Sequence, residues 1–398
     1  SNVISPVISI TGEFSRDIMM IRERLQKLYV WYRLFPAAVF LYIVFYPFLA
    51  NLVASNTELL DNRPLKAKPT ELSRDFAKEF EAYYNDTFAG RKKLLKKYGK
   101  IQYKLGIDNG ITIQGQKGWA FYDSAKVPDG YTLIDYFGEV RFSEDELRQM
   151  ASGVEKARQF YARRGIDYMI VVAPNKEAMY SEYMPERLQK QRKSEQSRMD
   201  LAVEYLQKHT KVKILNFKEA LTAAKQKMPM EIYFPLDSHW NEVGGYVGYS
   251  AMADYLNKFG YHLPVTPLRP EMVSIAGSQK SDLDVAGIKD TNYRVSFLDG
   301  MPVKCLKDED HGFMLVYENP QAPVKKTLFM IRDSFGMGLV PYLNKAFAKT
   351  VYAHNKHNKR PQLEALLNEY HPDIMVDELV ERYFDRFLKY NDLYGDQQ

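Results

Sequence analysis

Two short segments of the 398-residue chain carry residue types that together can perform acyl transfer. Residues 237–240 read Asp-Ser-His-Trp, and residues 332–336 read Arg-Asp-Ser-Phe-Gly. A serine hydroxyl attacks a carbonyl effectively only when a base removes its proton, and histidine has the side-chain pKa best suited to that task. A carboxylate on the second ring nitrogen holds the useful tautomer of the histidine. We therefore predict that Ser334 is a nucleophile, His239 its base and Asp237 the carboxylate that orients the base.

Each of these residues also has an ordinary structural explanation. A serine before a helix commonly caps that helix, and an isolated histidine is commonly a surface or core residue. Asp333 offers a second carboxylate, which would either orient a histidine or cap the helix after Ser334. The paired occurrence of Asp-x-His-Trp before a helix and Asp-Ser-Phe-Gly after a buried strand favours the catalytic interpretation.

A metal site is the less favoured interpretation of the same residues. Asp237, His239 and Asp333 are potential ligands of a divalent ion, and His354 and His357 have a ligand-like spacing. The histidine pair lies beside two lysines, whose positive charges oppose a bound cation. We expect no metal ion and no other cofactor.

The surroundings of Ser334 predict how its hydroxyl is presented. Residues 327–331 form an apolar run typical of a buried parallel strand, and a helical pattern follows through Leu339 and Leu343. A strand-to-helix turn exposes the hydroxyl at the carboxyl edge of the sheet and directs the first free helix amides at the reacting group. The amides of Ser334 and Phe335 are therefore candidate oxyanion donors, and Gly336 would let a substrate approach closely.

Four further residues are candidate oxyanion or substrate contacts, because they lie beside predicted strand ends or the serine turn. Asn175 and Lys176 follow an apolar strand at residues 168–173, while Arg332 and Tyr342 flank the turn. The alternative is that Asn175 and Lys176 form a polar turn and that the other two residues brace the loop.

The motifs resemble those of the alginate O-acetyltransferase branch of the SGNH hydrolase superfamily, including the group named for its Asp-His-His-Trp motif. The second position of that motif is a serine here, Ser238. The Asp-x-His element precedes the nucleophile, as in that branch. The resemblance extends to Gly-Trp-Ala-Phe-Tyr at residues 118–122, Ala-Pro-Asn-Lys at 173–176 and Pro-Asp-Ile at 372–374. It covers roughly residues 75 to 385.

The resemblance implies an SGNH-like α/β fold and an O-acetyltransferase that modifies an extracellular polysaccharide through an acyl-enzyme. It also implies a partner, a multispanning membrane-bound O-acyltransferase that supplies acetyl groups. The same triad would make a carbohydrate acetyl esterase if water replaced the sugar. A polysaccharide-binding subunit without catalytic activity is a third hypothesis.

An apolar stretch near the amino terminus predicts a membrane anchor. Residues 34–57 contain no charged residue, and we predict a transmembrane helix at residues 34–54, because about 20 residues span the hydrocarbon layer. Basic residues outnumber acidic ones before it, which predicts a cytoplasmic segment at residues 1–33 and an extracytoplasmic catalytic domain in a bacterial membrane protein. A cleaved signal peptide is the alternative, but the apolar run is longer than a typical signal core.

Composition narrows the class of protein. The net charge is +5, with 55 Lys and Arg mixed among 50 Asp and Glu, so nucleic-acid binding has no support. The 29 tyrosines fit either a sugar-stacking surface or a tyrosine-rich core, and we favour the core. The single cysteine, Cys305, excludes an intramolecular disulfide, and we interpret it as a packing residue.

The alternation of apolar strands with helical patterns predicts an α/β fold, with a parallel sheet flanked by helices. We predict a linker and helical stem at residues 55–105 and a catalytic domain at residues 106–398. Residues 264–324 break the pattern and are expected to form a partly β insertion beside the active site. Strands of the sheet are predicted at residues 168–173, 212–216, 328–331, 350–353 and 374–376.

Overall fold

The structure is a computed structural model that describes residues 7–51, 65–105, 111–124, 130–280, 289–309, 312–355 and 359–395. The chain divides into two compact units, Ser1–Tyr98 and Gly99–Gln398, called here the N-terminal and C-terminal units. The first part of the predicted linker, residues 55–64, and His357 of the predicted histidine pair lie outside the described residues.

The N-terminal unit begins with one long helix, α1 (Val7–Asn51). Within the described residues, the stretch Met19–Asn51 is the one helix long and apolar enough to cross a membrane, judged by length and composition. The predicted stem forms two helices rather than one, α2 (Phe76–Thr87) and α3 (Arg91–Leu105). They are separated at Gly90, whose φ of 81° is a left-handed conformation that favours glycine and ends a helix.

The C-terminal unit is built around a seven-stranded sheet in the order β4-β3-β11-β9-β10-β8-β7. The first five strands in this order are parallel to one another. Strand β8 pairs antiparallel with β10, and β7 pairs antiparallel with β8. The α/β class is therefore confirmed, and the sheet is mixed rather than parallel. The strands are β3 (Asp167–Ala173), β4 (Lys213–Asn216), β7 (Lys304–Glu309), β8 (Met314–Glu318), β9 (Val324–Arg332), β10 (Phe347–His354) and β11 (Ile374–Val380).

The segment at residues 264–324 contributes β structure in two places. Its first half forms an antiparallel hairpin of β5 (Val273–Lys280) and β6 (Lys289–Val295). Its second half supplies β7 and β8 to the main sheet, so it is not an insertion throughout. The sequence pattern does not identify β7 as a strand, because β7 is exposed along most of its length and carries no apolar alternation. Cys305 lies exposed on β7, and its interpretation as a packing residue is wrong.

A second hairpin precedes the seven-stranded sheet in the chain, and helices cover both faces of that sheet. The hairpin pairs β1 (Thr112–Gln114) with β2 (Ala120–Tyr122). Two clusters of buried apolar side chains lie on the opposite faces of the sheet, and many large tyrosines are fully buried among them, as expected for a tyrosine-rich core. The helices are α4 (Thr132–Phe137), α5 (Glu144–Ala162), α6 (Lys176–Met179), α7 (Glu186–Gln189), α8 (Arg198–His209), α9 (Lys218–Lys227), α10 (Glu242–Asn257), α11 (Val340–Ala346), α12 (Arg360–Tyr370) and α13 (Tyr390–Tyr394).

Candidate active site

The histidine segment is a tight loop that closes on itself before α10 begins. The Phe234 amide donates to the His239 carbonyl at 3.1 Å, and the Asn241 amide donates to the Ile232 carbonyl at 3.0 Å. Asn241 is the N-cap of α10, since its side-chain oxygen accepts the first free helix amides at 2.9 and 3.2 Å. The loop therefore has defined ends on both sides of His239.

The structure brings Asp237, His239 and Ser334 into one hydrogen-bonded chain. His239 Nδ1 lies 2.7 Å from Asp237 Oδ1, and His239 Nε2 lies 2.7 Å from Ser334 Oγ. Because a carboxylate only accepts, Nδ1 must carry the proton of the neutral ring, and Nε2 presents its lone pair to the serine hydroxyl. The same Asp237 oxygen accepts the His239 main-chain amide at 2.9 Å, so the carboxylate is held against the residue it orients.

Asp237 and Ser334 differ in their exposure to solvent, as acyl transfer requires. Asp237 is 8 % exposed, whereas Ser334 is an exposed residue. The carboxylate is thus largely withdrawn from water while the hydroxyl faces solvent. This arrangement lets an external ester reach Ser334 without displacing the aspartate.

Asp333 fixes the serine turn to the neighbouring strand β11. Its carboxylate accepts the Phe335 amide at 2.8 Å and the Val380 amide at 2.7 Å. The Asp333 amide in turn donates to the buried Glu378 carboxyl at 3.1 Å, and burial together with the nearby Asp333 charge raises the pKa of Glu378 well above its usual range. Of the two roles predicted for Asp333, the structure shows capping of the turn.

Two predictions about the oxyanion donors need correction. The Phe335 amide is already engaged by Asp333 at 2.8 Å, so it is not free to receive a substrate oxygen. Gly336 faces inward rather than toward a substrate. A Cβ built there would lie 2.6 Å from Glu378 Oε2 and 2.7 Å from Arg332 Cβ, so close packing explains this glycine.

Trp240 joins the histidine loop to the serine turn directly. Its indole Nε1 donates to the Phe335 carbonyl at 3.0 Å, one residue after the serine. Glycines let the indole approach this closely, since a Cβ at Gly338 would lie 2.3 Å from Nε1 and one at Gly248 would lie 3.0 Å from the ring. The tryptophan of the Asp-Ser-His-Trp motif therefore ties the serine turn to the histidine loop.

Asn175 and Lys176 lie at the end of β3 but point into the protein. Asn175 is 1 % exposed, and within the described part of the chain its Nδ2 group has no hydrogen-bond acceptor. A substrate would reach that amide only after the surrounding side chains moved. Lys176 is also 1 % exposed, and its ammonium is bonded to main-chain carbonyls.

Arg332 and Tyr342 are likewise structural in this molecule. The buried Arg332 guanidinium donates to the Asp333 carbonyl at 3.1 Å and to the Gly312 carbonyl, which braces the turn from below. Tyr342 is 1 % exposed, and its hydroxyl donates to the Glu242 carbonyl at 2.9 Å. Both side chains are therefore bonded within the protein, and a contact of either one with substrate stays a prediction.

Asp290 is a site residue that the sequence analysis did not find. It is 2 % exposed on β6, and its carboxylate accepts the Leu236 amide at 2.9 Å, immediately before Asp237. The residue lies in a segment without a recognisable pattern, so nothing in the sequence linked it to the histidine loop. The hairpin of β5 and β6 is thereby attached to the catalytic segment.

In the ranges that the structure describes, no group of three or more His, Cys, Asp or Glu side chains is arranged to hold a metal ion. The Asp237 carboxylate and both nitrogens of His239 are engaged with one another and with Ser334. These groups are therefore arranged for proton transfer.

The C-terminal unit places a serine at the end of one strand of a mixed sheet, with an aspartate-backed histidine facing it. This is the arrangement that the resemblance to SGNH hydrolase-like domains predicts. Residues 112–273 match the family model of the SGNH hydrolase-like domain of acetyltransferase AlgX. The resemblance seen in the motifs is thus confirmed over these residues, which are similar to an SGNH hydrolase-like acetyltransferase domain. The match includes Asp237 and His239 and ends before Ser334. No curated protein matches the chain by sequence.

Solved structures with a similar fold include three proteins of low sequence identity. PatB1 of Bacillus cereus is 15% identical, with a TM-score of 0.49 over 70% of this chain and 97% of that chain. The O-acetyltransferase domain of Pseudomonas putida AlgJ is 14% identical, with a TM-score of 0.44 over 72% of this chain and 95% of that chain. Pseudomonas aeruginosa AlgX is 14% identical, with a TM-score of 0.45 over 71% of this chain and 67% of that chain.

Proposed function

We propose that this protein is a membrane-anchored O-acetyltransferase that acetylates an extracellular polysaccharide through an acyl-enzyme on Ser334. The observation that carries the proposal is the contact of 2.7 Å between His239 Nε2 and Ser334 Oγ, with Asp237 on the other ring nitrogen. The family match to an acetyltransferase domain supports acetyl transfer as the reaction.

The first half-reaction transfers the acetyl group to the enzyme. Ser334 Oγ attacks the carbonyl carbon of an acetyl donor as His239 Nε2 takes the hydroxyl proton, and Asp237 stabilises the imidazolium that forms. Collapse of the tetrahedral intermediate breaks the donor ester bond, and His239 returns its proton to the departing oxygen. With the Phe335 amide engaged, the Ser334 amide is the proposed donor to the oxyanion.

The second half-reaction passes the acetyl group to a sugar hydroxyl. His239 now removes the proton of that hydroxyl, whose oxygen attacks the acetyl carbon. The ester bond to Ser334 then breaks, and His239 returns the proton to Ser334 Oγ. The acceptor that we propose is an extracellular polysaccharide, and the donor is a multispanning membrane-bound O-acyltransferase partner. The apolar helix Met19–Asn51 supports a single-pass anchor in a bacterial cell membrane, with a cytoplasmic amino terminus and the C-terminal unit on the extracytoplasmic side.

Acetyl transfer and hydrolysis are separated by competition between acceptors. The full-length protein in detergent is supplied with a model acetyl ester, with and without an oligosaccharide, and the products are acetylated sugar and free acetate. We expect acetylated sugar from the wild type, and a loss of at least roughly 1,000-fold in Ser334→Ala, because the attacking oxygen is removed. Acetate alone would make the protein an esterase, a reading that the exposed position of Ser334 permits.

The same experiment tests the alternative that the protein is a polysaccharide-binding subunit without catalytic activity. If the wild type retains a polysaccharide but gives neither acetylated sugar nor acetate, and Ser334 resists a serine-directed covalent inhibitor, the proposal fails. A variant of a remote capping serine, Ser143→Ala, serves as the control, since that hydroxyl caps α5 and belongs to a different part of the fold. Its activity is expected to equal that of the wild type.

A further inference from the structure

Two motifs that the triad chemistry leaves without a role meet at one buried lysine. Residues 118–122, Gly-Trp-Ala-Phe-Tyr, include β2 of the β1–β2 hairpin, and residues 173–176, Ala-Pro-Asn-Lys, end β3 and begin α6. Lys176 is the last residue of the second motif and is 1 % exposed. A buried ammonium is costly unless its donors are paired, so its surroundings are expected to be specific.

The Lys176 ammonium is held by three main-chain carbonyls. Nζ lies 2.6 Å from the Ala120 oxygen, 2.7 Å from the Pro235 oxygen and 2.9 Å from the Asp237 oxygen. An ammonium has three hydrogens and a neutral amine only two, so three acceptors match the charged form. Each hydrogen of Nζ thus has a carbonyl acceptor.

The first motif completes the enclosure of this charge. The rings of Trp119 and Phe121 lie with their centroids 5.0 and 5.1 Å from Nζ, within the range of cation–π attraction. The Ala120 amide also donates to the Pro235 oxygen at 2.9 Å, which fastens β2 to the start of the catalytic loop. The two motifs therefore form one clamp, defined here as Lys176, Trp119, Ala120 and Phe121.

The clamp acts on the residue that orients the catalytic histidine. It fixes the Asp237 carbonyl, while the Asp237 carboxylate accepts from both the main chain and the ring of His239. We propose that Lys176 is a positioning residue, which holds the main chain of Asp237 so that His239 faces Ser334. The proposal rests on the proposed acyl-enzyme function and assigns Lys176 no contact with substrate.

The test is a double-mutant cycle on the rate of Ser334 acylation by a model acetyl ester, in the full-length protein in detergent. Lys176→Met keeps an unbranched side chain of similar volume, one atom shorter, and removes the hydrogen bonds of the ammonium. We expect Lys176→Met to lower kcat roughly 10- to 100-fold with little change in KM, because the base is displaced but the ester site is not. In an Asp237→Asn background, where the orienting carboxylate is already lost, the same substitution should cost less than about 3-fold.

If Lys176→Met lowered kcat by the same factor in the wild-type and Asp237→Asn backgrounds, the proposal would be overturned. A folded Lys176→Met protein whose Ser334 is acylated at the wild-type rate would also overturn it. The matched control is Lys225→Met, since Lys225 also donates to a main-chain carbonyl, that of Met179 at 2.7 Å, without contacting the catalytic loop. Lys225→Met is expected to leave kcat unchanged in either background, relative to the protein that carries Lys225.

The proposal stays testable if Lys176→Met does not fold or if the wild type forms no acetyl-enzyme. If Lys176→Met does not fold, Lys176→Gln takes its place in the same cycle, because a glutamine amide retains two of the donors. If the wild type forms no acetyl-enzyme, the acyl-transfer function itself fails, and the cycle is then measured as the rate of labelling by a serine-directed fluorophosphonate. That reaction needs only an activated Ser334, so non-additive labelling rates would still support the clamp and additive rates would reject it.

Discussion

At the scale of single residues, the contact between Trp240 and the Phe335 carbonyl makes a sharp prediction. Trp240→Phe keeps an aromatic ring but removes the indole donor, so the serine turn loses one anchor. We expect a loss of about 1 kcal/mol in the free energy of unfolding and a fall of roughly 10-fold in the acylation rate. Both are measured on the purified full-length protein, by thermal unfolding and by release of product from a model ester.

A control variant distinguishes a loss of protein stability from a displacement of the serine turn. Tyr249→Phe removes a hydroxyl that donates to the Pro264 carbonyl at 2.7 Å, far in sequence from the serine turn. It should cost a similar free energy while leaving the acylation rate within about 2-fold of the wild type. Equal kinetic losses in the two variants would show that Trp240 contributes only general stability.

At the scale of secondary-structure elements, the start of α10 sets the position of the histidine loop. Asn241→Ala removes the side-chain acceptor of the Val243 and Gly244 amides and should destabilise the protein by about 1 kcal/mol. Because Asn241 is two residues from His239, we also expect the acylation rate to fall. Ser143→Ala, which removes the N-cap of α5, should cost a comparable free energy without a kinetic effect. An unchanged rate in Asn241→Ala would contradict a role of this cap in placing His239.

The elements also show where sequence reasoning succeeded and where it failed. The apolar runs that became β3, β9 and β11 were predicted because strands buried on both faces are apolar almost throughout. The capping box of Ser143 and Glu146 at the start of α5 is another local feature, since it depends on two residues three positions apart. The strand β7 was missed because it is exposed and depends on its partner β8 for its place in the sheet.

The candidate site shows the same difference between features that are local in sequence and features that depend on distant partners. Residue types predict which groups can react, but the hydrogen bonds that Lys176 makes depend on chain segments far apart in sequence. Spacing along the chain carries no information about such partners. The positions of Asp290 and the clamp were therefore accessible only from the structure.

At the scale of the whole molecule, buried carboxyls make stability depend on pH. Asp377 is buried on β11, where loss of solvation outweighs hydrogen bonds from Tyr168 and Tyr390 and raises its pKa to about 6. Since the folded protein then holds this proton more tightly than the unfolded chain, stability falls as pH rises from about 4 to beyond 6. A shift of this size corresponds to at most about 3 kcal/mol.

Asp377→Asn isolates this contribution, because the amide does not titrate. We expect the wild type to lose up to about 3 kcal/mol relative to Asp377→Asn between pH 4 and pH 7.5. Thermal unfolding of both proteins across that range provides the measurement. Parallel stability profiles for the two proteins would show that Asp377 keeps an ordinary pKa in the folded state.

The most direct test of the catalytic assignment is mass spectrometry of the full-length protein after brief exposure to an acetyl ester and acid quenching. The account predicts one added acetyl group, located on the peptide that contains Ser334, and none in Ser334→Ala or His239→Ala. Acetyl transfer to a sugar without any acetyl group on Ser334, or an equal adduct in the Ser334→Ala protein, would contradict it.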